Sequence, residues 1–84
     1  MTEGQRFINI GYRNMLCVDK ILAILNPEPA PIKRLVAEHK EQNKVIDVTH
    51  GRRTRSIIVT DSDYIVLSSL LPETISSRFA KDSE

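Results

Sequence analysis

The sequence predicts an α+β fold, a small and mainly antiparallel sheet carrying one amphipathic helix over about residues 30–42 and a short C-terminal helix over about 72–80. Three observations predict it. Short Ile-rich runs bounded by turn residues recur along the chain, and one stretch after Pro29 switches to helical periodicity. The third is size: 84 residues that are 40% hydrophobic, with two Phe, two Tyr and no Trp, suffice for one modest core. Residues 1–80 are read as a single domain and 81–84 as a frayed polar tail.

The elements follow in order. Phe7-Ile10, Met15-Val18 and Ile21-Leu25 read as strands, and Gly11-Tyr12-Arg13-Asn14 supplies turn chemistry between the first two. Asn26-Pro27-Glu28-Pro29 breaks regular structure, because each proline restricts its predecessor and removes a donor. Pro31 suits the first turn of the helix that follows. Ile32, Leu35, Val36 and His39 repeat at i, i+3, i+4 and i+7 as one apolar stripe, with Lys33, Arg34, Lys40 and Glu41 on the other side and Asn43 as a left-handed C-cap. Lys44-Val48 is a fourth strand, Thr49-His50-Gly51-Arg52-Arg53 a hairpin loop, and Thr54-Thr60 its return strand. Asp61-Ser62-Asp63 turns into Tyr64-Ser69, and Pro72 opens the last helix with Ile75 and Phe79 at i and i+4.

Ile21-Leu25, Ile57-Val59 and Ile65-Leu67 do not alternate apolar with polar, so both faces of those strands require cover. One 12-residue helix and a terminal stub do not suffice for both, so the uncovered face needs another sheet, another subunit or both, and a homo-oligomer is predicted. The alternative is a curled sheet that closes over its own core.

Charge is unevenly spread. The chain carries 12 Lys+Arg against 11 Asp+Glu, a formal charge of +1. Yet Lys33, Arg34, Lys40, Lys44, Arg52, Arg53 and Arg55 face only Glu38, Glu41 and Asp47 between residues 33 and 55, while the flanking segments are neutral and acidic. The densest point is Gly51-Arg52-Arg53-Thr54-Arg55. Guanidiniums crowded so closely repel one another unless an anion lies opposite, and their planar donor forks match phosphate oxygens bidentately. The segment therefore points to nucleic acid, with a solvated turn, or one paired to Glu38, Glu41 or Asp47, as the plainer alternative. The same arginines would suit RNA phosphate, but two Phe and two Tyr leave few platforms for stacking unpaired bases, which favours a duplex. A basic scaffold that docks an acidic protein is the remaining alternative.

Catalysis finds no support. No serine or cysteine has a credible partner, and His39, His50, Cys17, Asp61 and Asp63 lack zinc-like spacing. Asp61-Ser62-Asp63 begins like a calcium loop without its glycine or terminal glutamate. Leu71-Pro72-Glu73-Thr74 resembles a sorting signal, but Ile75 stands where glycine is needed and the N-terminus lacks a signal-peptide core. Neither a metal, a cofactor nor a small-molecule substrate is expected. Cys17 lies in an apolar run and reads as a small buried hydrophobe, which suits a reducing cytosol. The absence of any apolar stretch of membrane-spanning length argues against a membrane partner.

From about Phe7 to Arg78 the chain resembles the RemA family of bacterial extracellular-matrix regulators. The segments that carry the likeness are Phe7-Ile8-Asn9-Ile10-Gly11, Ala30-Pro31-Ile32-Lys33-Arg34, Asp47-Val48-Thr49-His50-Gly51-Arg52-Arg53-Thr54-Arg55, Asp61-Ser62-Asp63 and Pro72-Glu73-Thr74. The resemblance implies a cytoplasmic, nucleoid-associated transcriptional activator of matrix or biofilm genes. It also implies a LytTR-like subunit, assembly into a ring-shaped homo-oligomer with basic residues around its rim, and duplex DNA as partner. Arg52 and Arg53 would be the principal contacts. Lys20 stands where the family has an arginine, keeping the charge without the bidentate fork. Arg13 either adds a contact or decorates a turn. A duplex following a curved rim must bend, so A/T-rich or otherwise deformable DNA is the expected target.

Overall fold

A computed structural model describes residues 6–82. In chain order these form β1 (Phe7–Asn9), β2 (Met15–Cys17), β3 (Ile21–Leu25), α1 (Ala30–Glu41), β4 (Val45–Asp47), β5 (Ser56–Thr60), β6 (Ile65–Ser68) and α2 (Pro72–Asp82), with a 3-10 turn at Val18–Lys20. The α+β class holds, with two helices and sheets of mixed direction. Helix α2 extends two residues past the expected end near 80, to Asp82, and residues 83 and 84 of the expected tail lie outside the described residues.

Local chemistry explains the helices. Pro31 occupies the first turn of α1, where its missing N–H would have no intrahelical partner. Ile32, Leu35, Val36 and His39 are half-buried along one stripe, and the His39 Nδ1 donates to the Leu35 carbonyl at 2.9 Å. At the other end Asn43 takes φ 59°, so that the Asn43 N–H reaches the Lys40 carbonyl and the Lys44 N–H the His39 carbonyl, at 3.1 and 2.9 Å. This is a Schellman termination with asparagine in place of the usual glycine. Helix α2 starts on Pro72 with Leu71 as cap, its carbonyl accepting from Thr74 and Ile75.

The sheet departs from expectation. β1 and β2 form a separate antiparallel hairpin, and the main sheet runs in the order β3-β5-β6-β4. β4 does not pair with β5. It lies parallel to β6 in the register Val45↔Ile65, Ile46↔Val66, Asp47↔Leu67, while β6 lies antiparallel to β5. The segment between β4 and β5 is therefore no hairpin loop: it straddles the end of β6, tied at one side by Val48 N–H to the Leu67 carbonyl (3.0 Å) and at the other by Arg55 N–H to the Ser68 carbonyl (2.8 Å). A short glycine-containing connection serves either arrangement, and hydrophobic pattern does not distinguish a partner one strand over from one two strands over.

Both faces of this sheet are covered within one chain. Ile57, Ile65 and Leu67 point to α1, packing with Ile32 and Val36. Ile58 and Val66 point the opposite way, to Ile8 and Ile10 of the hairpin segment and Ile75 of α2, with Phe79 alongside. The cover that the helices alone do not provide comes from another sheet: the β1–β2 hairpin, expected within the main sheet, folds onto it as half of a lid. Each fully buried Ile contributes on the order of 1.5–3 kcal/mol. Polar atoms in this core are matched, as where the buried Ser68 hydroxyl donates to the Ile10 carbonyl at 2.7 Å. Arg78 is likewise structural, its guanidinium donating to the Asn9 carbonyl at 2.8 Å and locking α2 to β1. Two of the exposed apolar side chains lie on opposite edge strands of the main sheet: Leu22, the extra residue of a bulge in β3, is 67% exposed, and Ile46 on β4 is 48% exposed.

Candidate nucleic-acid interface

Four connections meet at the end of the sheet where β6 finishes. They are the β1–β2 turn, the β3–α1 connection, the straddling β4–β5 segment and the β6–α2 connection. One concavity there is lined by Tyr12, Arg52, Arg53, Arg55 and Ser69, and a second by Asn26, Pro27, Glu28, Arg53, Thr54, Arg55 and Leu71. Arg52, Arg53 and Arg55 are all exposed and share the first of these walls.

The straddling segment is held from below. The Asp47 carboxylate accepts from the Thr49 hydroxyl at 2.7 Å and the Thr49 N–H at 2.8 Å, and the Thr49 carbonyl accepts from Arg52 N–H at 3.0 Å. The Thr49 hydroxyl, then its amide, hold the Asp47 pKa below the ordinary 3.8; partial burial opposes them and the Lys40 charge assists. His50 at φ 59° and Gly51 at φ 81° then turn the chain so that the arginines face outward.

A second turn leans on the first. Gly11, Tyr12 and Arg13 take successive positive φ values of 121°, 52° and 67°, a conformation stabilised by Asn9 Oδ1 accepting from Gly11 N–H at 2.7 Å and Asn14 Nδ2 donating to the Gly11 carbonyl at 2.9 Å. The Tyr12 ring stacks on His50, centroids 4.7 Å apart and planes 18° from parallel. Left-handed backbone costs a non-glycine residue about 1–2 kcal/mol. Tyr12, Arg13 and His50 all bear it at one place, next to the arginines, and such strain concentrates where function holds a geometry.

The predicted site residues divide. Arg13, Arg52, Arg53 and Arg55 come to the same end of the molecule, Arg13 through its neighbour Tyr12. Lys20 does not. It precedes β3 at the opposite end, with Nζ 3.7 Å from Asp61 Oδ2, about 20 Å from Arg55 at the roughly 3.4 Å rise per strand residue. The pairing foreseen for the arginines also differs: the carboxylate that meets them is Glu28, Oε2 3.2 Å from the Arg53 guanidinium, rather than Glu38, Glu41 or Asp47. Arg52 and Arg55 make no ion pair among the described residues. Tyr12, His50 and Glu28 are the site members that sequence reasoning missed. The turn at Gly11-Asn14 was visible, but nothing local announced that it would meet a loop almost forty residues on.

The RemA-like profile, described as extracellular matrix regulatory protein A-like, matches residues 7–79. This chain belongs to that family. Relatives described as regulatory proteins include one from Geobacillus thermodenitrificans, 52% identical over 73 residues, covering 87% of this chain and 84% of the relative. Another from Fervidobacterium nodosum is 56% identical over 72 residues (86% and 77%), and one from Crocosphaera subtropica is 45% identical over 82 (98% and 91%). The RemA-like match takes in all six strands, α1, and α2 up to Phe79, so the arginine-bearing end of the sheet lies wholly within it. Among the described residues no helix is long and apolar enough to cross a membrane, and no cluster of His, Cys, Asp and Glu could hold a metal ion.

Proposed function

We propose that the protein is a DNA-binding transcriptional regulator, an activator of extracellular-matrix genes, that grips duplex phosphate with Arg52, Arg53, Arg55 and Arg13. The observation that carries this reading is the assembly of these guanidiniums at one end of the sheet, on strained turns braced by the Tyr12–His50 stack, with Glu28 as the single carboxylate paired there among the described residues. A few charges bind weakly by themselves. Displayed repeatedly on a ring-shaped homo-oligomer they gain effective concentration without new contacts. The exposed Leu22 and Ile46 on opposite edge strands of the sheet fit such head-to-tail assembly, since two different edge surfaces meet in each repeat.

If an assembly neutralises about six to ten phosphates, affinity falls about a thousand-fold to a hundred-thousand-fold between roughly 50 and 200 mM salt. Bending around a rim favours deformable, A/T-rich duplexes, so pre-bent DNA binds more tightly than straight DNA of equal length; equal affinities would count against the curved rim. The deciding experiment is a mobility-shift titration of wild type against Arg52→Ala/Arg53→Ala with light scattering on both. The reading requires a variant of unchanged mass that no longer retains duplex.

A second reading is favoured by one specific observation. Tyr12 lies beside the arginines and offers an aromatic surface of the kind that stacks unpaired bases. Competition between single-stranded RNA and duplex DNA separates the two, and preference for the single strand would replace the duplex reading.

A further inference from the structure

Glu28 is the site member whose charge opposes the rest. Its carboxylate belongs to Asn26-Pro27-Glu28-Pro29, where Pro27 and Pro29 restrict the backbone and the Glu28 N–H donates to Asn26 Oδ1 at 3.0 Å. That turn projects Glu28 across a groove to Arg53, at 3.2 Å, with Thr54 and Arg55 in the same wall. Both side chains are largely in water, 62% and 71% exposed, so the pair adds little to stability and costs little to open. Its place is nevertheless particular: it occupies one of two adjacent arginines at the point where a phosphate would bind.

We infer that Glu28 is an intramolecular competitor for phosphate, an affinity-setting carboxylate that holds Arg53 until a duplex presents enough phosphates to displace it. The inference rests on the duplex-binding reading above and assigns a residue that this reading alone does not use. The physical argument is one of exchange. A phosphate that takes Arg53 must break the pair and leave the Glu28 carboxylate a few ångströms from the polyanion, where like charges repel. The uncovered carboxylate also recovers a solution cation, so net counterion release per engaged subunit is smaller than the number of arginines suggests. Every engaged subunit bears this exchange, so an isolated contact gains little, whereas a duplex that seats Arg52, Arg53 and Arg55 together overcomes it. Glu28 would therefore lower affinity for any DNA that takes Arg53, and most for the duplex that engages the most subunits.

A purely supporting role predicts the reverse. If Glu28 merely orients Arg53 for binding, its loss weakens binding. The test is a salt titration of full-length wild type, Glu28→Gln, Arg53→Ala and the double variant on one pre-bent and one straight duplex of equal length. Glu41→Gln serves as control, because it removes the same charge at the far end of α1. With Glu28 as competitor, Glu28→Gln binds about threefold to tenfold more tightly per engaged subunit at low salt, and its log–log salt slope steepens by about 0.9 per engaged subunit. The gain is larger on the pre-bent duplex, which engages more subunits; it shrinks once Arg53 is Ala and is not reproduced by Glu41→Gln. Wild type that binds duplex and loses it on Arg53→Ala, yet whose affinity is unchanged or weaker in Glu28→Gln, overturns the inference and leaves the duplex reading standing. Wild type that retains no duplex at any salt overturns the duplex reading itself.

Discussion

The two ends of the four-stranded sheet keep their basic residues in opposite company. Where β5 turns into β6, Lys20 lies 3.7 Å from Asp61 and Lys44 3.8 Å from Asp63, each cation matched by a carboxylate from the same turn. Where β6 ends, Arg52, Arg53 and Arg55 share one concavity with Tyr12, the neighbour of Arg13, and among the described residues the one ion pair there joins Arg53 to Glu28. The first end is electrostatically closed and the second open. On the duplex-binding proposal, local pairing with Asp61 and Asp63 makes a basic residue at the first end a weaker draw for a polyanion than one at the second, although a count of charges along the chain treats them alike.

The largest expected effect comes from the open end. Each charge-assisted arginine contact is worth about 1.5–3 kcal/mol, so Arg52→Ala/Arg53→Ala costs at least about a hundredfold in duplex affinity by mobility shift, with no change in mass by light scattering. Both side chains are exposed, so thermal stability stays put. A variant that still retains DNA would move the interface elsewhere. Next comes Tyr12→Ala. An aromatic pair contributes about 0.5–1.5 kcal/mol, and freeing the β1–β2 turn from His50 should weaken duplex binding about threefold to tenfold while core packing persists. An unchanged affinity would show that the straddling segment needs no brace.

Lys20→Ala sharpens the comparison from the closed end. Asp61 already neutralises this cation within the subunit, so its removal should cost about threefold at most, measured on the same duplex as Arg52→Ala. The two losses being equal would mean that neighbouring subunits bring opposite ends of their sheets together against one DNA, which a single subunit does not do.

How far the sequence foretold this site depends on the range of each contact. Helix α1 was legible because Pro31, the stripe from Ile32 to His39 and Asn43 act within a few residues of themselves, and each strand was legible from its own composition. The arginine cluster was legible as charge. The pairing of Arg53 was not, because Glu28 and Arg53 are 25 residues apart and meet only through the pairing of β3 with β5. The partner of β4 was hidden for a similar reason: Val45-Ile46-Asp47 carries no mark that distinguishes β5 from β6, and Thr49-Arg55 is short enough to suggest the nearer strand. The cover supplied by the β1–β2 hairpin was missed because three-residue strands look the same inside a sheet and folded onto one.

The smallest expected effect lies beneath the open end, in the bond between Asp47 and Thr49. Asp47 titrates below its ordinary 3.8 because the charged form accepts from the Thr49 hydroxyl and amide. A carboxyl with its folded pKa depressed contributes stability above its unfolded value and loses it as pH falls through the folded value. The arginine segment should thus keep its geometry through neutral and mildly acid solution and loosen only below about pH 3.8. Nuclear magnetic resonance of the Thr49 and Arg52 amides is the direct measurement, since Arg52 N–H donates to the Thr49 carbonyl. Both resonances should titrate together below pH 3.8 in wild type, and that component should vanish in Asp47→Asn, whose amide oxygen still accepts but carries no charge. Were the two amides to shift at or above the ordinary carboxylate pKa, Asp47 would not be the anchor, and the fixed presentation of Arg52 would have to come from the Tyr12–His50 stack alone.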